Sequence, residues 1–268
     1  MQPLRVEGVG IRFGGLQALD DVSFSMEPGE RRVIIGPNGA GKTTLFNVIS
    51  GQLRPGAGSV HIFEQDATRL KSNQRAALGL ARTFQITNLF PNLNVAENLM
   101  LAVQALQPMK RALHRPMRSY KDITDRTRAL LEEWNLWDKR EELARHLSYG
   151  DQRELEILMA LAGSPKLLLL DEPTAGLSTA ETHMVVNVVR RLDPGITILL
   201  IEHDLDVAFE LASRVTVLHQ GRLLLEGSPD EVRGNAQVAE IYLGVDDLVA
   251  DAELPSGLAP ASREVEHA

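Results

Sequence analysis

The stretch Gly36 to Thr43, "GPNGAGKT", most constrains what this chain can fold into. It reads as Gly, four residues, Gly, Lys and a hydroxyl residue, set between the apolar run "RRVII" and the helix-forming "TTLFNVISG". Glycines at that spacing let successive backbone N–H groups curl around an anion, and the helix start behind them adds its dipole. Strand, loop and helix together predict a nucleotide phosphate site on a parallel α/β sheet. The candidate phosphate contacts are Gly36, Pro37, Asn38, Gly39, Ala40, Gly41, Lys42, Thr43 and Thr44. Lys42 would neutralise the β- and γ-phosphates, and the Thr43 hydroxyl would hold Mg²⁺.

Two further runs place chemistry at strand ends. "KLLLLDEPT" is an unalternated apolar strand that finishes in Asp171 and Glu172. Carboxylates leaving the carboxyl end of a parallel strand point into the crevice where such sheets bind ligands. Asp171 is therefore the candidate Mg²⁺ partner, through water, and Glu172 the candidate general base that orients an attacking water. "TILLIEHD" repeats the pattern and delivers His203, whose neutral imidazole suits a contact with the γ-phosphate. Gln85, in "ARTFQ", follows the sheet portion of the chain and offers a side-chain carbonyl to Mg²⁺ or to the water.

Around these motifs the texture changes in blocks. Leu4–Phe13 and Val22–Met26 read as strands separated by the turn-like "GGLQALD", and "SVHIF" as a third. Gly51 reads as the C-terminal cap of the helix after the phosphate loop. From about Asn73 to Arg145 the helical period dominates, which predicts a helical lobe inserted into the sheet domain at about residues 86–162. Val215 to Glu226 reads as a hairpin across "HQGR". One domain over residues 1–244 and an acidic, aperiodic, disordered tail over 245–268 complete the expected organisation.

Composition narrows the function classes. A formal net charge of -8 argues against nucleic acid as a partner, because phosphate backbones attract clustered Lys and Arg. The absence of cysteine removes disulfides, thiolate catalysis and Cys-based zinc sites and fits a reducing cytosol. The N-terminus lacks the features of a signal peptide, and no apolar run approaches the ~20 residues that cross a bilayer. If the protein works at a membrane, another chain does the spanning.

Taken together, the motifs resemble those of the ATP-binding subunits of ABC transporters. "GPNGAGKTT" matches Walker A, Gln85 the Q-loop, "LSYGD" the signature, "LLLLDE" Walker B, "AGLS" the D-loop and His203 the switch histidine. Within that family the chain is similar to the ATPases that power uptake of branched-chain and other hydrophobic amino acids. "RFGGLQAL", "LFNVISG", "ARTFQITNLFPNLNVAENL", "LSYGDQRELEI", the terminal "EIYLG" and the long Gln104 to Lys121 segment carry this finer likeness. Urea, amide and lipopolysaccharide transporter ATPases share much of it.

The resemblance implies an ABC-type ATPase fold: a P-loop parallel-sheet core with an antiparallel β subdomain and an inserted α-helical lobe. It implies ATP and Mg²⁺, a second ATP-binding subunit, membrane permease subunits, a solute-binding protein and a peripheral place on the cytoplasmic face of the inner membrane. It puts Phe13 against adenine, and Ser148 with the Gly150 backbone against the γ-phosphate of ATP held by the second subunit. The signature departs from the common pattern at Tyr149 and Asp151, and the D-loop has Ser178 in place of the usual Asp. The basic run "QPMKRALHRPMRSYK" reads either as a solvated loop or as a contact with a membrane subunit or anionic headgroups.

Overall fold

The computed structural model describes residues 1–83, 89–105 and 121–246. Gln85, the basic stretch with Lys110, Arg111, Arg115 and Arg118, and the tail beyond 246 lie outside the described residues.

Two sheets form the frame. β1 (Leu4–Phe13), β2 (Leu16–Met26), β4 (Ala57–Ile62) and β5 (Gln65–Asp66) make an antiparallel sheet in the order β2-β1-β4-β5. The second strand starts earlier than the sequence suggests: Arg12 pairs with Gln17 and Ile11 with Leu19, so only Gly14 and Gly15 turn. Register shifts between Val9, Ile11 and Arg12 break the two-residue alternation, which hides this half of β2 from pattern reading.

The larger sheet joins β3 (Arg31–Ile35), β6 (Leu80–Arg82), β7 (Leu167–Asp171), β8 (Thr197–Ile201), β9 (Arg214–His219) and β10 (Arg222–Gly227), in the order β10-β9-β3-β8-β7-β6. Its neighbours pair in parallel except for β9 and β10. That pair is the expected hairpin; Gln220 (φ 49°) and Gly221 (φ 77°) make a turn of the type that suits the strand twist. β6 was not expected, because three residues are too few to show a period. It pairs with Leu167–Leu169 and lies inside the stretch that reads as helical.

Parity along the unalternated strands sorts two cores. Leu167, Leu169, Leu199 and Ile201 pack toward the antiparallel sheet and α1 (Lys42–Ile49). Leu168, Leu170, Ile198 and Leu200 pack toward α6 (Thr179–Arg191) and α7 (Leu205–Leu211). Each fully buried leucine contributes about 2 kcal/mol relative to an exposed one, so both faces of the sheet hold the fold.

A third core belongs to the helical lobe. Val95, Leu99 and Val103 of α3 (Val95–Ala105) meet Ile123, Leu130 and Leu131 of α4 (Lys121–Glu133). α5 (Tyr149–Leu161) serves two cores, since Leu155 and Leu158 face the lobe while Ile157 joins the sheet core. Trp134 packs against both clusters, which ties lobe to sheet.

α1 ends as the sequence predicts, with Gly51 at φ 78°. The completing partner comes from α2 (Ser72–Ala77): Nη1 of the buried Arg75 donates to the Val48 and Ile49 carbonyls at 2.7 and 2.5 Å. A Cβ on Gly51 would meet Arg75 Nε at 2.7 Å, so the glycine also makes room for the cap. α8 (Pro229–Arg233) and α9 (Ala236–Asp246) close the described chain.

Candidate active site

The chain leaves β3 at Ile35 and enters the phosphate loop under tight steric control. A Cβ on Gly36 (φ 152°) would meet the Leu218 carbonyl oxygen at 2.1 Å, and one on Gly41 (φ 102°) the Ala18 carbonyl oxygen at 2.6 Å. Neither position admits a side chain, because the loop threads between β2 and β9. Gly41 precedes α1 without any side-chain cap, and no acid stands in the first turn. The helix start is thereby left to an anion.

Lys42 opens α1 and turns back into the loop. Its Nζ donates to the carbonyls of Gly36 at 2.5 Å and Pro37 at 3.1 Å. Burial pushes its ammonium below the ordinary lysine value, and the charge of Glu172 opposes that shift. Lys42, Asn38, Gly39, Ala40, Gly41, Thr43 and Thr44 line a cavity of about 430 Å³ together with Glu172, His203 and Phe13. Residues from β1, the loop, β7 and β8 thus converge on one space.

Glu172 is held in a strained place. Its φ of 48° is left-handed, uncommon for a non-glycine residue, and its N–H donates to Ile201 O at 3.0 Å, locking it to the neighbouring strand. His203 Nε2 lies 2.5 Å from Glu172 Oε1. A carboxylate paired with an imidazole beside an anion-binding loop can hold a water and take up its proton.

Phe13 is 48% exposed and Leu16, its cross-strand partner, 68% exposed. Both line the cavity, at the rim rather than in the core. They offer an apolar platform to a ring.

Asp171 stands deeper, 2% exposed, at the end of β7. Arg82 Nη2 donates to its Oδ2 at 2.6 Å, while Oδ1 is buried without a hydrogen-bond partner among the described residues. Burial pushes this carboxyl above its ordinary range, and the Arg82 guanidinium opposes the shift. An orphaned buried carboxylate oxygen fits a hard cation. Among the described residues no group of three or more His, Asp or Glu could hold a metal alone, so an ion here would share phosphate oxygens with Thr43 and Asp171.

Ser148 and Gly150 are not among the residues lining the cavity. Ser148 N-caps α5, accepting from Asp151 N at 3.1 Å, and its hydroxyl donates to Asp151 Oδ2 at 2.8 Å. That carboxylate also takes Lys139 Nζ at 2.7 Å, so the Asp151 charge is met within the lobe. Gly150 N–H donates to Glu181 Oε1 at 3.2 Å, and a Cβ on Gly150 would meet Met184 Cε at 2.4 Å. Ser178, where the D-loop usually has Asp, caps α6 in a reciprocal box with Glu181.

A family model described as "ABC transporter" matches residues 19–175, more than half of the chain. The chain belongs to the ABC transporter family. A second model, "Branched-chain amino acid ATP-binding cassette transporter", matches residues 222–247. The high-affinity branched-chain amino acid transport ATP-binding protein LivG of Salmonella typhimurium is 39% identical over 91% of this chain and 98% of its own length. BraF of Pseudomonas aeruginosa, with the same description, is 35% identical over 90% of this chain and 97% of its own. The crystal structure of the ADP conformation of MJ1267, an ATP-binding cassette of an ABC transporter, superposes with a TM-score of 0.81 at 32% identity, covering 91% of this chain and 99% of that one. The chain is an ABC ATPase with the family's α/β fold, and it binds adenine nucleotide.

In this ABC ATPase, several residues near the cavity escape sequence reasoning. Arg82 lies inside the quoted "ARTFQ", but nothing local says that it reaches Asp171. Glu202, beside His203, accepts from the Thr174 hydroxyl at 3.0 Å and the Thr174 N–H at 3.2 Å; burial pushes its carboxyl up to about 7. Tyr242, within "EIYLG", hydrogen-bonds the Gly36 backbone from α9, and burial pushes its phenol up to about 12. Leu16 is visible only as an apolar residue beside two glycines. Gln85 lies outside the described residues.

Proposed function

We propose that this chain is the ATP-hydrolysing subunit of an importer for branched-chain or related apolar amino acids. The observation that carries the catalytic reading is the meeting of Lys42, Glu172 and His203 in one cavity at the phosphate loop. Likeness to LivG and BraF, together with the C-terminal family match, supports the amino-acid assignment.

Residues 1–244 act as one ATP-binding domain, with the lobe at about 86–162 inside it. The phosphate-loop N–H groups and Lys42 bind the β- and γ-phosphates, and Phe13 with Leu16 supports the base. Thr43, Asp171 and Gln85 would hold Mg²⁺, which supplies charge neutralisation on the phosphates when bound. Glu172 accepts the proton of the attacking water, and His203, 2.5 Å away, fixes the carboxylate and reaches toward the γ-phosphate. Ser148 and the Gly150 backbone, at the start of α5 and off the cavity, serve the nucleotide of a second ATP-binding subunit, the Gly150 N–H exchanging Glu181 Oε1 for phosphate.

The permease subunits span the membrane, and a solute-binding protein delivers the amino acid to them. Among the described residues no helix is long and apolar enough to cross a membrane. As the ATP-binding subunit beside those permeases, the chain takes a peripheral place on the cytoplasmic face of the inner membrane, a reading supported by its likeness to LivG. Co-expression with branched-chain amino-acid permease subunits, reconstitution in vesicles and uptake of labelled leucine, isoleucine and valine test the assignment. ATP-dependent uptake supports it; ATP turnover stimulated only by a solute of another class, such as urea, overturns it.

A further inference from the structure

We propose that Arg82 is a positioning residue for the Mg²⁺–nucleotide site, because it ties Asp171 to the helix that carries Thr43, the two described residues that would hold the ion. The inference rests on reading Asp171 and Thr43 as ion ligands and goes beyond it by assigning what holds them apart.

The guanidinium is forked between two elements. One nitrogen, Nη2, donates to Asp171 Oδ2 at 2.6 Å. The other, Nη1, donates to Asn47 Oδ1 at 2.8 Å and Ser50 Oγ at 2.7 Å, both from the second half of α1 and its end. Asn47 stands one helical turn beyond Thr43, so it rides on the same rigid helix as the hydroxyl. Arg82 therefore sets the distance between the end of β7 and the start of α1.

The clamp is buried and oriented on several sides. The side chains of Arg82 and Asp171 are 7% and 2% exposed, and the guanidinium carbon lies 5.7 Å from the centre of the Phe46 ring. The next residue, Thr83, accepts the Asp171 N–H through its hydroxyl at 3.4 Å and donates its own N–H to Leu169 O at 3.0 Å. Main chain and side chain of Asp171 are thus both held by the end of β6. With Oδ2 taken by Arg82, Oδ1 is the oxygen left for the ion.

The residue type follows from the geometry. A planar fork can bond a carboxylate with one nitrogen and a second element with the other, whereas the three donors of a lysine ammonium all leave one atom and do not span two separated elements in a fixed plane. Partners that orient a metal ligand typically alter metal affinity by 10–100-fold when removed. Arg82 acts in that way on Asp171.

The test uses the assembled transporter with Arg82→Gln, Arg82→Lys and Asp171→Asn. Mn²⁺ affinity is read by electron paramagnetic resonance with a non-hydrolysable ATP analogue bound, nucleotide affinity in EDTA by fluorescence, and Tm by calorimetry. Arg82→Gln is expected to weaken Mn²⁺ binding about 10-fold or more while changing nucleotide affinity in EDTA by less than about twofold. Arg82→Lys is expected to recover much of the Tm but less than half of the Mn²⁺ affinity on a logarithmic scale. Should Arg82→Gln fail to fold, Arg82→Lys carries the test alone, with about fivefold weaker Mn²⁺ binding expected. Parental Mn²⁺ affinity in whichever of these variants folds, with a lowered Tm as the sole change, makes Arg82 a structural brace and overturns the proposal. Unchanged Mn²⁺ affinity in Asp171→Asn would instead sink the reading of Asp171, so the two failures are distinguishable.

Discussion

His203 Nε2 sits 2.5 Å from Glu172 Oε1, joining the ends of β7 and β8 above the phosphate loop. Glu172 meets it from a left-handed backbone conformation, so the pair is held by the fold rather than by local preference. Neighbouring parallel strands deliver the two groups to one edge of the sheet, beside the phosphate loop.

Replacing Glu172 by Gln keeps the shape of the side chain and removes the proton acceptor. Turnover should fall at least about 100-fold, with ATP affinity within about threefold of the parent. Lys42→Ala should do the reverse first, weakening ATP binding about 10-fold or more. Equilibrium nucleotide binding beside steady-state phosphate release separates the two, and ordinary turnover by Glu172→Gln would refute its role as the base.

Glu202 links pH to stability. Burial raises its folded-state carboxyl to about 7, above the ordinary glutamate value, so the folded state holds a proton that the unfolded state has released between those values. Its contribution is fully present below the unfolded value and is lost as pH rises through about 7. Glu202→Gln keeps an acceptor for Thr174 and removes the titration. The variant should gain on the parent as pH rises from 5 to 8, by about 3 kcal/mol at most; a pH-independent difference in urea unfolding would overturn this.

Arg75 is fully buried and donates to the two carbonyls that end α1. Arg75→Ala removes a charge-assisted cap and leaves both oxygens dry, which should cost about 3–5 kcal/mol in chemical unfolding. Loss of under about 1 kcal/mol would mean that water replaces the guanidinium.

Asp151 points to Lys139 and to the Ser148 hydroxyl, not away from its own lobe. Asp151→Asn removes a partly exposed ion pair of about 0–1 kcal/mol, so ATPase activity of the assembled transporter should stay within about twofold. A several-fold rise in rate would show that its charge opposes nucleotide at the composite site.

Phe13 shows how far local pattern goes. Its position in a strand suits a core residue as well as a base platform, and only the short Gly14–Gly15 turn leaves it half exposed beside the phosphate loop. Ser148 behaves similarly: a serine ahead of a helical run suits a cap as well as a phosphate contact, whereas the use of the Gly150 N–H by Glu181 depends on α5 lying against α6.

By itself the amino-acid sequence determined the phosphate loop, the acidic end of β7, the histidine at the end of β8 and the buried parallel strands. Each depends on contiguous residues: glycine where no Cβ fits, apolar runs where both faces are covered, and charge where a strand leaves the sheet. Only the tertiary structure decided that Arg82 grips Asp171, that Tyr242 reaches Gly36 and that Arg75 ends α1. Those contacts join residues 89, 206 and 26 positions apart, or close to it, and exist because strand order and helix packing bring them together. No local period encodes a partner at that separation, since its free energy appears only once the intervening chain has been ordered.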